Sequence, residues 1–127
     1  MHADERGLNA ITEKIIGCAY AVGNELGCGF LEKVYENAMF VELTAAGLRA
    51  EQQKNVIIRY RGAVVGEYLA DLIVEGQVLV ELKHCKDFDD VHIAQCLNYL
   101  KATGLKVCLL INFGKTKVEI KRLVREF

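Results

Sequence analysis

The 127 residues include no proline, no C-x-x-C pair and no apolar run near the length of about 20 residues that a membrane span needs. Without proline, no helix or strand pattern is interrupted by a residue that cannot donate its backbone N–H. The missing apolar run excludes a membrane-spanning helix. The N-terminus, M-H-A-D-E-R-G-L-N, lacks the basic-then-apolar order of a secretory signal or transit peptide, which argues for the cytoplasm. There is no internal repeat, low-complexity segment or linker. Nor does one sign of charge dominate: the net charge is -1 and the pI about 6.3, which gives no global footprint for nucleic acid.

The chain has a hydrophobic fraction of 52% and a charged fraction of 26%, as an ordinary globular protein does. Its length suits one domain spanning 1–127. Cys18, Cys28, Cys85, Cys96 and Cys108 are odd in number and lie in or beside regular elements, so buried reduced thiols are expected. Acids outnumber bases before residue 50, whereas Lys106, Lys115, Lys117, Lys121, Arg122 and Arg125 leave a local basic face near the C-terminus.

Apolar steps of three and four residues predict a helix from Leu8 to about Leu26, ended by Gly27-Cys28-Gly29. A second helix is predicted from near Phe30 to about Ala46. Leu31, Val34, Ala38, Phe40, Val41 and Ala45 are its apolar residues, and Glu32, Tyr35 and Glu36 share another face. Three strands follow, Ala50 to Tyr60, Ala63 to Val74 and Val78 to Lys83, separated by Arg61-Gly62 and by a turn at Glu75-Gly76. Lys86 to Asp90 supplies an aspartate cap for a helix from about Val91 to Ala102, which Gly104 ends. Leu105 to Phe113 reads as a strand buried on both faces, and Val118 to Val124 as an edge strand.

Three charges intrude on the apolar hairpin: Asp71 on one strand, Glu81 and Lys83 on the next. Ionised groups in such strands are costly unless paired or bound to a metal. Glu81 and Lys83, two apart, share a face. Asp71 joins them only if the connecting loop is odd. A three-residue loop of Val74, Glu75 and Gly76, with Gly76 left-handed, would pair Asp71 with Leu79. Two carboxylates and a lysine so placed suit metal-assisted phosphodiester hydrolysis, the acids binding a hard cation and the ammonium group positioning water or stabilising charge. The same residues also fit a structural acid–lysine bridge. His84, Cys85, His92 and Cys96 are a weaker zinc candidate, because strand alternation sends His84 and Cys85 to opposite faces.

Asp71 followed by Glu81-Leu82-Lys83 resembles the PD-(D/E)XK nuclease superfamily, although Ala70 stands where the superfamily name has proline. Gln95-x-x-x-Tyr99 resembles the Q-x-x-x-Y element of its RecB-like and phage-exonuclease branches. Gly29-Phe30-Leu31-Glu32-Lys33-Val34-Tyr35 resembles the signature of the GxxExxY family within it. The resemblance implies an α/β, restriction-endonuclease-like core: a central mixed five-stranded sheet flanked by helices in the order α-α-β-β-β-α-β-β. It implies catalytic roles for Asp71, Glu81 and Lys83, with Glu32, Asp71 and Glu81 as ligands of Mg²⁺ or Mn²⁺. Gln95 and Tyr99 would contact substrate or brace the site, and Tyr35 would support Glu32. The implied function is a divalent-metal-dependent nuclease, acting on DNA ahead of RNA. The alternative is an inactive nuclease-fold module that binds nucleic acid or a protein partner. Two-sided hydrophobicity of the sheet leaves room for a homodimer.

Overall fold

Apolar periodicity and turn chemistry divide the chain into eight elements in the computed structural model, which describes residues 5–125. They are α1 (Glu5–Leu26), α2 (Glu32–Ala45), β1 (Ala50–Tyr60), β2 (Ala63–Val74), β3 (Val78–Lys83), α3 (Asp90–Thr103), β4 (Val107–Asn112) and β5 (Glu119–Val124). The order is the expected α-α-β-β-β-α-β-β. The first four residues of the N-terminal stretch read for a leader, and the last two of the basic tail, lie outside the described residues. Among the described residues no helix is long and apolar enough to cross a membrane.

The five strands form one mixed sheet in the order β1-β2-β3-β4-β5. β3 and β4 are parallel and the other neighbours antiparallel. A parallel pair needs a crossover, and α3 supplies it, so β3 and β4 are covered on both faces. That explains their unbroken apolar runs: every residue of β4 is buried, and every residue of β3 except Lys83. One core, with Leu8, Ile15, Leu72, Val80, Leu109 and Phe113, lies between the sheet and α1 and α2. The other, with Ala70, Ile73, Leu79, Cys96, Leu100 and Leu110, lies between the sheet and α3.

α2 corrects the sequence reading. Its buried residues are Tyr35, Glu36, Met39 and Leu43, whereas Leu31, Val34 and Val41 are exposed. Tyr35 and Glu36 of the polar-looking face therefore point inward, while Glu32 stays exposed. Tyr35 stacks on Phe113 at 4.7 Å, donates its hydroxyl proton to the Gly27 carbonyl and accepts from the Phe30 N–H. The Glu36 carboxylate accepts from Lys33 Nζ and from the side-chain amides of Gln52 and Gln53. With every polar group satisfied, burial carries no desolvation penalty large enough to turn the helix over. The cysteine expectation holds for Cys18, Cys96 and Cys108, but Cys28 is exposed and Cys85 half-buried; all five are free.

α3 is capped by Asp89, whose carboxylate accepts from the His92 N–H while His92 Nδ1 accepts from the Asp89 N–H. His92, a member of the zinc candidate, is thus a capping residue. The left-handed Gly104 closes the other end, as expected.

Candidate active site where β2 and β3 part

The hairpin turn has the odd length that brings Asp71 to the side of Glu81, in a different register from the one expected. Val74 pairs with Val78, so the loop is Glu75-Gly76-Gln77 rather than Val74-Glu75-Gly76. Glu75 and Gly76 are both left-handed, at φ 55° and 65°, and the Gln77 N–H donates to the Val74 carbonyl at 3.0 Å. Glycine meets that requirement without a Cβ penalty. For Glu75 the conformation is supported by its carboxylate, which accepts from the Arg49 N–H at 2.6 Å. This register sets Asp71 opposite Glu81 instead of Leu79. A shift of two residues preserves the side of the sheet.

Beyond Leu72 and Val80 the backbone ladder stops. Side chains take over: the Asp71 N–H donates to Glu81 Oε2 at 3.0 Å, and the Leu82 N–H donates to Asp71 Oδ2 at 2.8 Å. The carboxyl groups act as inserted wedges, each satisfying a backbone donor of the other strand. The parting coincides with a switch of faces along β2. Leu72 and Val74 enter the core under α1 and α2, whereas Tyr68 and Ala70, an even number of residues away, pack on the α3 side. Opposite Asp71, Gln53 of β1 is left-handed at φ 51° and drops out of the ladder. Asp71 therefore sits at a kink, in electrostatic reach of Glu36 on one side and of Glu81 and Lys83 on the other.

Burial, then the charge of Asp71, pushes Glu81 up to about 8. Burial also raises Asp71, against the Leu82 N–H that favours its anion, and Glu36 raises it further. Partial desolvation and then Asp71 raise Glu32, although its side chain is exposed. Two carboxyls in contact titrate as a pair, with one proton held between them near neutral pH.

The structure brings Asp71 and Glu81 together. Lys83 is half-buried two residues on and makes no ion pair among the described residues, although its charge is felt at Asp71, Glu32 and Cys96. Its strand end is braced: the Lys83 carbonyl accepts from the Phe113 N–H, and the buried Asn112 side chain bonds both the N–H and the carbonyl of Cys85. The exits of β3 and β4 run so close that a Cβ on Gly114 would stand 2.6 Å from the Cys85 nitrogen. Glu32, in the first turn of α2, stays outside the contact pair. Among the described residues no three His, Cys, Asp or Glu side chains form a ready metal cluster. That covers the zinc candidate as well: His84 Nε2 bonds the Cys28 carbonyl instead. Tyr35 is a core residue that fixes the α1–α2 loop from which Glu32 starts. Gln95 is exposed on α3, and Tyr99 is half-buried.

A hard divalent cation fits what is present. Asp71 and Glu81 offer only carboxylate oxygens, each commits one oxygen to a backbone N–H, and both carry raised pKa values that a positive ion would relieve.

The sequence reading overlooks Tyr68. Its ring stacks on Tyr99 with centroids 3.5 Å apart, and its hydroxyl is buried without a hydrogen-bond partner among the described residues. Burial and then the nearby Glu81 push that hydroxyl well above its ordinary pKa. Simple alternation would send Tyr68 to the side away from Asp71; only the kink brings it to the site. Glu36, Gln52, Gln53 and Asn112 were likewise not read as supports.

Five strands in this order with flanking helices, and an acid pair where a hairpin parts, define an α/β protein of restriction-endonuclease-like fold. The family model of the PD-(D/E)XK nuclease superfamily matches residues 9–123, and the chain belongs to that superfamily. The narrower GxxExxY resemblance is consistent with it. Among solved structures, the crystal structure of SSO0001 is similar with a TM-score of 0.55 and 17% identity, over 96% of this chain and 61% of that one. At that identity the likeness concerns the fold alone. No curated protein matches the chain.

Proposed function

We propose that the protein is a divalent-metal-dependent phosphodiesterase acting on nucleic acid, DNA ahead of RNA, with Mg²⁺ or Mn²⁺ as cofactor. The observation that carries this reading is the interlocked Asp71–Glu81 pair, with Glu81 raised to about 8 and Lys83 two residues away. Such a pair is poorly explained as a structural bridge, because Lys83 pairs with neither acid among the described residues.

Asp71 and Glu81 hold the cation, and Glu32 contributes from the start of α2. When bound, the cation supplies charge neutralisation at the phosphate and a lowered pKa for water. The Lys83 ammonium group, free of an ion pair among the described residues, stabilises negative charge on the phosphate or orients the attacking water. Gln95 and Tyr99 contact the substrate, and Tyr35 keeps the first turn of α2 in place.

Incubation with linear, circular and single-stranded DNA and with RNA, in Mn²⁺, tests the proposal. Cleavage is expected from the wild type and not from Lys83→Ala, which should retain the wild-type melting temperature. Calorimetric titration should show Mn²⁺ binding that Asp71→Ala loses. Absence of both binding and cleavage would leave a nuclease-fold module without activity.

A further inference from the structure

Two hollows of about 670 and 430 Å³ lie between β1 and α3, and both are lined by Ile58 and Asn98. They are parts of one groove. At one end it is lined by Gln95 and Tyr99, and Tyr99 is in electrostatic reach of Glu81 and Asp71. At the other end it is lined by Arg59 and Lys101. Among the described residues no acid lines either hollow, in a chain with 17 acids against 16 lysines and arginines. Arg59 and Lys101 are both exposed, and neither enters an ion pair among the described residues.

We propose that this groove binds a single strand of nucleic acid and leads it to the Asp71–Glu81 pair. Charge complementarity selects the ligand: two unpaired cations meet phosphates, and the apolar wall at Ile58 and Tyr99 takes the face of an unstacked base. Asn98 and Gln95 carry amides that match base edges without demanding one base. The hollows have the volume that one small ligand fills, on the order of 300–1,000 Å³, which suits unpaired nucleotides and not a stacked duplex. The kink at Gln53 and Asp71, where the packing of β2 changes sides, brings the far part of the β1–β2 hairpin over α3. The inference rests on the nuclease reading for the chemistry at the pair, and on the groove alone for binding.

The test is fluorescence anisotropy with labelled oligonucleotides of about 16 nucleotides, as single-stranded DNA, single-stranded RNA and duplex DNA, in EDTA. The wild type should prefer single strands to duplex by about tenfold or more, and the two single-stranded arms tell DNA from RNA as the better ligand. Arg59→Glu/Lys101→Glu should weaken single-strand binding by about tenfold or more. Arg59→Ala/Lys101→Ala should lower the salt slope by about 1.4, the share of two phosphate contacts on a single strand. Lys117→Glu/Lys121→Glu, near and on the basic edge strand β5, should leave binding unchanged. A duplex preference, unaltered binding by the Arg59/Lys101 variants, or loss confined to the β5 variant would overturn the proposal. Cleavage in Mn²⁺ separates the two readings. Groove-dependent binding without cleavage supports the groove and sinks the nuclease. Cleavage of single strands by Arg59→Glu/Lys101→Glu at the wild-type rate overturns the groove and leaves the nuclease standing.

Discussion

Replacing Glu81 by glutamine should make the metal-free protein more stable at alkaline pH. Glu81 has an ordinary pKa of 4.5 and is pushed up to about 8 in the fold. A carboxyl raised on folding contributes stability that is fully present below its unfolded pKa and is lost as pH rises through its folded pKa. Between these values the folded chain holds a proton that the unfolded chain has released, so stability falls by about 1.36 kcal/mol per pH unit for one shared proton. From about pH 5.5 to 8 the ceiling is therefore roughly 3 kcal/mol. Glutamine keeps a carbonyl oxygen for the Asp71 N–H and offers an N–H to the Asp71 carboxyl, the arrangement of the protonated pair, but it does not titrate.

Urea unfolding in EDTA at the two pH values measures this directly. Wild type should lose up to about 3 kcal/mol, and Glu81→Gln much less, the two being close at the acidic value. Glu67→Gln, at an exposed position on β2, serves as the control and should follow the wild type. At pH 8, Mn²⁺ at about 100 times its Kd should restore about 2.7 kcal/mol to the wild type and little to Glu81→Gln. Parallel pH dependences in wild type and Glu81→Gln would refute the reasoning, because the buried acid pair would then not be the group that titrates.

Asn112→Ala should cost about 2–4 kcal/mol in urea unfolding, because it strips partners from the N–H and carbonyl of Cys85 and from the Gly114 N–H. Faster hydrogen exchange at the Cys85 amide would locate the loss at the exit of β3. Tyr68→Phe should raise metal-free stability by about 1–3 kcal/mol, since it removes a buried hydroxyl that has no partner among the described residues. A decrease in stability would mean that the hydroxyl is hydrogen-bonded in solution.

The ends of β1, β2 and β3 are legible in the sequence because glycine turns bound β-branched runs, and the structure places them at the predicted residues. So is the arrival of Asp71 on the side of Glu81, which needs only an odd loop. The pairing itself is not legible. Both Val74–Gly76 and Glu75–Gln77 are odd loops containing Gly76, and only the left-handed Glu75, held by Arg49, selects the second. The inward face of α2 escapes the periodicity argument for another reason. Hydrophobicity counts Tyr35 and Glu36 as polar, whereas the cost of burying them depends on partners from Gly27, Phe30, Gln52 and Gln53, which lie outside the helix. Tyr68 is hidden because alternation assumes a strand that keeps its faces, and β2 changes them at Asp71.

The Tyr68 miss lies where β2 and β3 part. Where β2 and β3 stay in register, backbone bonds to backbone and the pattern of alternation can be read. Where they part, the Asp71 and Leu82 amides depend on carboxylates, and a carboxyl that left its place would abandon a buried donor. Each acid is thus held by the backbone of the opposite strand rather than by a counter-charge. That leaves the pair short of positive charge and confined in position, the combination that favours capture of a cation with little rearrangement. Glu36 from α2, Asn112 from β4 and Tyr35 beneath the α1–α2 loop stiffen the surroundings from three directions. The stability sacrificed at the parted strands is small beside the burial of β3 and β4, so the fold tolerates an acid pair that its own electrostatics disfavour.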